Sequence, residues 1–271
     1  MPTTVRDGLK LRYRTFGDPQ SPPLLLVMGL GLSSDGWDVL PDKLSKSFHV
    51  ITFDNRGTGE SDTPKRPFHM GALADDAAAV LDAMSLRTAH VFGISMGGMI
   101  AQELAIRHPH RIRRLALGCT FASWLRSKKP NTKTAIEFIQ IVTAQKDQID
   151  FTKLGLILTS PEFMKSAEAA QAFARWRKHA ESGRARKKAW LQLLAISGHS
   201  TWRRLDQITA PTLVIAGDQD RIVPIENSRK LAEKIPHARM LVIPGAGHVF
   251  PLEKEAETVQ ALTEHYLAGE N

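Results

Sequence analysis

Cysteine is nearly absent from this chain: Cys119 is the only one among 271 residues. An internal disulfide is therefore excluded. Cys119 closes an apolar run, Leu115-Ala116-Leu117-Gly118-Cys119, that reads as a buried strand end, so its thiol reads as structural rather than nucleophilic. Long hydrophobic stretches are missing as well. No run approaches the roughly 18 apolar residues of a membrane span. The N-terminal Met1-Pro2-Thr3-Thr4-Val5-Arg6-Asp7 lacks the apolar centre of a signal peptide. A cytoplasmic chain with no transmembrane segment is the resulting expectation. Internal repeats and low-complexity tracts are lacking too. What is present, 42% apolar and 24% charged residues, suits a globular protein with a sizeable core. One large α/β domain with an insertion and two separate domains both fit that length.

The net charge of +8 is concentrated. Residues 121–205 hold 16 Lys+Arg against 6 Asp+Glu, whereas the rest of the chain holds 20 against 22. This split marks 121–205 as an insertion in a nearly neutral body formed by 1–120 and 206–271.

Hydrophobic patterning gives the body its class. Leu9 to Phe16 alternates as a half-exposed strand does. Leu24-Leu25-Leu26-Val27-Met28 and Val50-Ile51-Thr52-Phe53 are continuous apolar runs, as in strands covered on both faces. Leu73, Ala77, Val80, Leu81 and Met84 recur at helical spacing. Next come a strand at Val91-Phe92, an amphipathic run Met99 to Arg107, and a strand from Arg114 to Cys119. The order β-β-β-α-β-α-β predicts a mostly parallel twisted sheet with helices on both faces. Residues 121–205 show helical patterns without convincing strands. The sheet resumes at Thr212–Ala216 and Met240–Ile243, with helices around Ser228–Ile235 and at the C-terminus.

Between the Val91-Phe92 strand and the next helix lies Gly93-Ile94-Ser95-Met96-Gly97, a G-x-S-x-G match. A serine at such a turn is held in a strained, exposed conformation, and the glycines allow strand and helix to approach closely. The helix start turns free N–H groups and a positive dipole end toward the serine, which suits a reaction that develops an oxyanion. A serine hydroxyl needs a base, and the base needs an orienting group. Two later strands end in Gly217-Asp218-Gln219-Asp220-Arg221-Ile222-Val223-Pro224 and Gly245-Ala246-Gly247-His248, both loops emerging at the carboxyl edge of a parallel sheet. Of ten histidines, only His248 follows a strand in a glycine turn near the C-terminus. His90, His108, His110 and His199 read as core or surface residues. For the acid, Asp218 and Asp220 both qualify, with Asp218 read as capping the turn through its own backbone. By position, the backbone N–H groups of Leu30 and Met96 would form an oxyanion hole. Metal-ligand clusters and nucleotide-binding loops are not visible, so no metal and no cofactor are expected.

With these motifs in hand, the chain resembles the α/β-hydrolase superfamily in its esterase, lactonase and C–C hydrolase branch. The resemblance runs over about residues 10–120 and 208–268. It rests on the Ser95 elbow, the Asp-x-Arg-Gly-x-Gly-x-Ser loop at 54–61, the acid turn and the Gly-x-Gly-His turn. It implies Ser95 as nucleophile, His248 as base, and Asp220 as acid, because the family's acid stands immediately before the Arg-Ile-Val-Pro segment. Where relatives commonly read His-Gly-x-Gly, this chain has Met28-Gly29-Leu30-Gly31, which makes that wall more apolar. Met28 and Trp37 are candidate pocket residues, Trp37 leaning to the core. Serine at the elbow argues against the haloalkane dehalogenase and epoxide hydrolase branches, which resemble this chain but carry aspartate there.

The insertion reads as a helical lid (cap) over Ser95. Its densest charge, Arg175-Trp176-Arg177-Lys178 and Arg184-Ala185-Arg186-Lys187-Lys188, reads as a solvated face, with attraction of an anionic substrate, an acidic carrier or a membrane surface as the alternative. No recognition motif for nucleic acid accompanies it. Three function classes follow: cleavage of a small-molecule ester or lactone, C–C cleavage or thioester acyl transfer on the same triad, and a low-turnover ligand-binding receptor. Monomer and homodimer are both compatible with the chain.

Overall fold

A computed structural model describes residues 2–144, 148–179 and 189–269. Eight strands form one sheet in the order β1-β2-β4-β3-β5-β6-β7-β8. They are β1 (Thr3–Arg6), β2 (Leu9–Phe16), β3 (Pro23–Val27), β4 (His49–Phe53), β5 (Ala89–Ile94), β6 (Ile112–Gly118), β7 (Thr212–Gly217) and β8 (Ala238–Ile243). β2 pairs antiparallel with β1 and β4, and every other pairing is parallel. The apolar runs behave as patterned: β4, β5 and β7 are buried along their whole length. β1 has no counterpart in the patterning. It is short, alternates between exposed and half-buried positions, and depends on its hairpin with β2.

Helices cover both faces. On one side, α2 (Met70–Ala83) and α3 (Met96–Arg107) pack against each other and the sheet, and α8 (Glu226–Lys234) joins them through Leu231. On the other, α1 (Leu40–Leu44) and α10 (Glu255–Leu267) bury Leu40, Leu44, Leu262 and Tyr266 against Phe48 and Phe92. Each face therefore has its own apolar cluster. The strand order turns around between β3 and β5: the chain leaves β3 toward β4, then returns to the other side of β3. Loops after β3 and β5 diverge there, which opens a crevice at the carboxyl edge of the sheet.

Between β6 and β7 lie α4 (Thr132–Thr143), α5 (Phe151–Leu158), α6 (Ala167–His179) and α7 (Ala189–Ser197). Ile141, Leu154, Ile157, Leu158, Phe173 and Trp176 join the larger core cluster, so this segment is packed onto the body. A single bridge, Ser123 to Ser200, closes its base. The basic cluster Arg184–Lys188 lies outside the described residues. In the other cluster, Arg175 forms a two-point ion pair with Asp38, and Trp176 is buried. Among the described residues, no helix is long and apolar enough to cross a membrane.

Candidate active site

Ser95 stands between β5 and α3 with φ 56° and ψ −122°, a conformation that a residue with a Cβ rarely adopts. Such strain costs roughly 1–3 kcal/mol and persists only where neighbours over-determine it. They do so here. Ser95 N–H donates to the Gly118 carbonyl at 2.8 Å, and the Ser95 carbonyl accepts from Gly98 N–H at 3.0 Å and from Thr120 Oγ1 at 2.7 Å. Two glycines make the turn feasible. A Cβ on Gly97 would sit on the Val27 carbonyl oxygen, and one on Gly93 would sit on the Gly97 carbonyl oxygen. The helix begins at Met96, three residues earlier than the amphipathic run marks it, because its first turn is glycine-rich.

His248 follows β8, and Asp220 follows β7. His248 Nδ1 lies 2.8 Å from Asp220 Oδ2, and both side chains are buried. The other Asp220 oxygen, Oδ1, accepts from Ile222 N–H at 2.8 Å and Val223 N–H at 2.9 Å, which fixes the carboxylate plane. Asp218 is exposed and points elsewhere: its Oδ1 accepts from Gly245 N–H at 2.8 Å. It therefore ties its loop to the one before His248 rather than capping its own turn, a correction to the sequence reading. Cys119 is buried beside the pair, its ligating atom within 4.8 Å of those of Asp220 and His248. Burial first, then the Asp220 charge, pushes this thiol well above its usual value. The inert structural role read from the sequence fits that. Burial also pushes His90, His199 and His265 down to about 4, which keeps them uncharged.

Ser95 and His248 line one chamber of about 50 Å³, together with Gly29 and Leu30 from the loop after β3. Its apolar wall comes partly from the insertion, through Phe138 and Val142 of α4 and Leu154 and Leu158 of α5. Among the described residues, Ser95 Oγ and His248 Nε2 take part in no hydrogen bond, and no acceptor takes the N–H of Leu30 or Met96. Gly29 is close enough to the Ser95 turn that an added Cβ would meet Ser95 Cβ at 3.3 Å. A larger cavity of about 420 Å³ lies next door. It does not reach Ser95 but shares Met28, Leu32, Ile94 and Val249 with the smaller chamber. Trp37 lines this larger cavity while packing on Phe92 in the core, and it does not line the Ser95 chamber.

Three polar residues hold the loop after β3: Asp54 and Asn55 of the 54–61 motif, and Gln192, which no motif marks. Asn55 Nδ2 donates to the Met28 carbonyl at 3.0 Å. Gln192 of α7 accepts from Gly31 N–H at 2.9 Å and donates to the Arg56 carbonyl at 3.2 Å, joining the insertion to both loops. Asp54 accepts from Ser34 N–H at 2.8 Å and Glu60 N–H at 2.9 Å and faces buried Arg12. The Asp-x-Arg-Gly loop is thus a brace for the Met28–Gly31 segment. Arg56 itself is paired with Asp76 of α2, whose carboxyl burial pushes up against the pull of that ion pair.

Comparisons with known proteins agree with this architecture. Residues 22–255 match the family described as alpha/beta hydrolase fold. A poly(3-hydroxyalkanoate) depolymerase of Ectopseudomonas oleovorans is 30% identical over 254 residues, covering 94% of this chain and 87% of that one. The rhodomycin D methylesterase DauP of Streptomyces sp. (strain C5) is 30% identical over 306 residues, covering 99% of each. The crystal structure of the enol-lactonase from Burkholderia xenovorans LB400 matches with a TM-score of 0.81 at 26% identity, covering 98% of this chain and all of that one. On the strength of a parallel sheet with its switch point between β3 and β5, a family match across most of its length and relatives that span it almost end to end, this chain belongs to the alpha/beta hydrolase fold family and is a hydrolase.

Proposed function

We propose that the chain is a serine hydrolase that cleaves a carboxylic ester or lactone through an acyl-enzyme on Ser95. The observation that carries this reading is the convergence of the strained Ser95 turn and the hydrogen-bonded His248–Asp220 pair on one apolar chamber. In the first half-reaction, Ser95 Oγ attacks the carbonyl carbon while its proton passes to His248 Nε2. The carbonyl oxygen, now negative, accepts from the Leu30 and Met96 N–H groups. The intermediate collapses, the C–O bond to the leaving group breaks, and the alkoxide takes the proton from His248. Water then gives a proton to His248 as its oxygen attacks the acyl carbon. The acid is released, and Ser95 recovers its proton. Asp220 holds the imidazole with Nε2 free to accept. The Ser95–His248 hydrogen bond forms when substrate orders the pair, as such contacts tighten on binding.

The body is formed by 1–120 and 206–271, and the insertion 121–205 acts as the lid. Support for the lid comes from the α4 and α5 side chains that wall the Ser95 chamber. An apolar surround strengthens each hydrogen bond to the oxyanion by excluding water. The absence of a histidine at Met28 leaves the donors intact, because they are main-chain groups, and the loop that carries Leu30 is braced by Asn55 and Gln192. An ester or lactone carbonyl also fits the activities that name the similar methylesterase and enol-lactonase.

A substrate panel tests the reading. Turnover of p-nitrophenyl esters or small lactones is expected to exceed that of a phenol-bearing diketone acid by roughly a hundredfold or more in kcat/KM, a gap of about 3 kcal/mol in activation free energy. Faster cleavage of the diketone acid would give the C–C bond reading instead. Saturable binding of the esters without turnover would make the chain a receptor.

A further inference from the structure

His248 sits in the connection between β8 and α9 (Phe250–Glu253), and the peptides on either side of it are bonded to groups outside the sheet. Gly247 N–H donates to Glu253 Oε1 at 2.8 Å. Val249 N–H donates to the Leu158 carbonyl at 3.1 Å. The second oxygen of Glu253, Oε2, accepts from Ser160 N–H at 2.9 Å. Leu158 ends α5 and Ser160 lies two residues beyond, so a single carboxylate joins the His248 loop to the insertion. The two backbones are in close contact: a Cβ on Gly247 would come within 2.8 Å of the Leu158 carbonyl oxygen. Asp220 orients the His248 ring, but none of these three bonds involves Asp220.

We propose that Glu253 is a positioning residue: its ionised carboxylate straps the His248 loop to the insertion and so sets the backbone from which His248 works. The proposal rests on the reading of His248 as the base. Two N–H donors converge on two oxygens, and an ionised carboxylate offers each a strong, charge-assisted acceptor, which a neutral carboxyl does on one oxygen only weakly. Once protonated, one oxygen carries a hydrogen that faces an N–H, and the strap loses one of its ends.

Burial pushes the Glu253 carboxyl up from the ordinary glutamate value, against the hydrogen bonds from Ser160 and Gly247 and the charge of Lys254. The carboxylate therefore neutralises at a higher pH than a surface glutamate as the solution is acidified. Other charged groups surround it. Cys119, buried beside Asp220 and His248, feels the charges of both Asp220 and Glu253. Asp38, Glu168, Arg175 and Glu255 line the larger cavity that Glu253 also lines. Arg175 is committed to Asp38, and Glu255 to Lys43. The donors held by Glu253 are thus the backbone amides of Gly247 and Ser160 together with the Ser160 hydroxyl, and no side-chain cation is among them.

The test is Glu253→Gln, which keeps shape and one acceptor oxygen but turns an NH2 group toward one of the two amides. With p-nitrophenyl acetate, kcat on the pH plateau is expected to fall roughly tenfold, with KM within about twofold of wild type, because the base is displaced while the chamber is unchanged. In the wild type, neutralising Glu253 adds a protonation step to the acid limb of log kcat/KM, so the slope of that limb is expected to be shallower in the variant by about one. An unchanged slope, or a loss carried by KM alone, would overturn the proposal. Amide exchange on the wild-type protein gives the second measurement and does not depend on how the variant folds. As pH falls through the Glu253 titration, protection at Gly247 and Ser160, corrected for intrinsic rates, is expected to be lost together while the β5 amides stay protected. Protection that persists at both amides would overturn the strap. Exchange needs no substrate, so this result is separable from a failure of the acyl-enzyme reading, which would appear as turnover without Ser95.

Discussion

Replacing Ser95 with alanine is expected to lower kcat by about 10⁴-fold or more while leaving the fold intact. The size follows from what the hydroxyl does: without it no covalent intermediate forms, and only the main-chain donors and the binding of substrate remain. The fold is expected to survive because the strain at this turn belongs to the backbone, and alanine carries the same Cβ as serine. The bonds that hold the turn are also main-chain on the residue-95 side, from Gly118, Gly98 and Thr120. The melting temperature of Ser95→Ala should therefore stay within a few degrees of wild type, since loss of one surface-of-chamber hydroxyl costs less than about 1 kcal/mol. Activity within tenfold of wild type would place the nucleophile elsewhere.

The second large effect separates two aspartates that the sequence leaves side by side. Asp220→Asn is expected to reduce kcat by roughly 10³ to 10⁴, and Asp218→Asn by no more than about threefold. Asparagine at 220 can keep its carbonyl oxygen toward Ile222 and Val223 N–H, so its NH2 group then faces His248 Nδ1. Nδ1 must accept, the proton moves to Nε2, and the imidazole can no longer take the serine proton. Asparagine at 218 by contrast retains the one acceptor that Gly245 uses, at an exposed position. Steady-state kinetics on a p-nitrophenyl ester checks the pair, and greater damage from Asp218→Asn would reverse the assignment of the acid.

Much of this was legible in the sequence because local chemistry constrained it. The Ser95 turn needs glycine at 93 and 97 for steric reasons that hold in any sheet of this kind, so the pattern is written in adjacent residues. His248 and the loop that carries Asp218 and Asp220 are legible because parallel strands deliver their following loops to one edge, while the choice of Asp220 over Asp218 comes from the family resemblance. The braces are another matter. Gln192 meets Gly31 across 161 residues, and Glu253 meets Ser160 across 93. Neither residue differs by type or spacing from its neighbours, so nothing local marks Glu253 apart from Glu255 or Glu257. The insertion shows the same limit. Its helices follow from periodicity, but which faces of α4 and α5 would close the Ser95 chamber depends on how they dock. β1, a four-residue edge strand with half-exposed alternation, carries too little apolar signal to be legible in the sequence.

The body of the enzyme and its insertion are coupled at several points near the proposed site. Gln192 ties α7 to the loop after β3, Arg175 ties α6 to Asp38, and Glu253 ties the His248 loop to Ser160. These contacts reach the loop after β3 and the His248 loop, the two segments on which the proposed chemistry depends.

The acyl-enzyme itself is the most direct object of measurement. Wild-type protein mixed with excess p-nitrophenyl ester, quenched in acid during turnover and digested, is expected to give a peptide containing Ser95 heavier by the mass of the acyl group. His248→Ala should lose that adduct, because the serine proton then has no acceptor. Turnover of the ester with no adduct on the Ser95 peptide, or an adduct carried by another residue, would contradict the account.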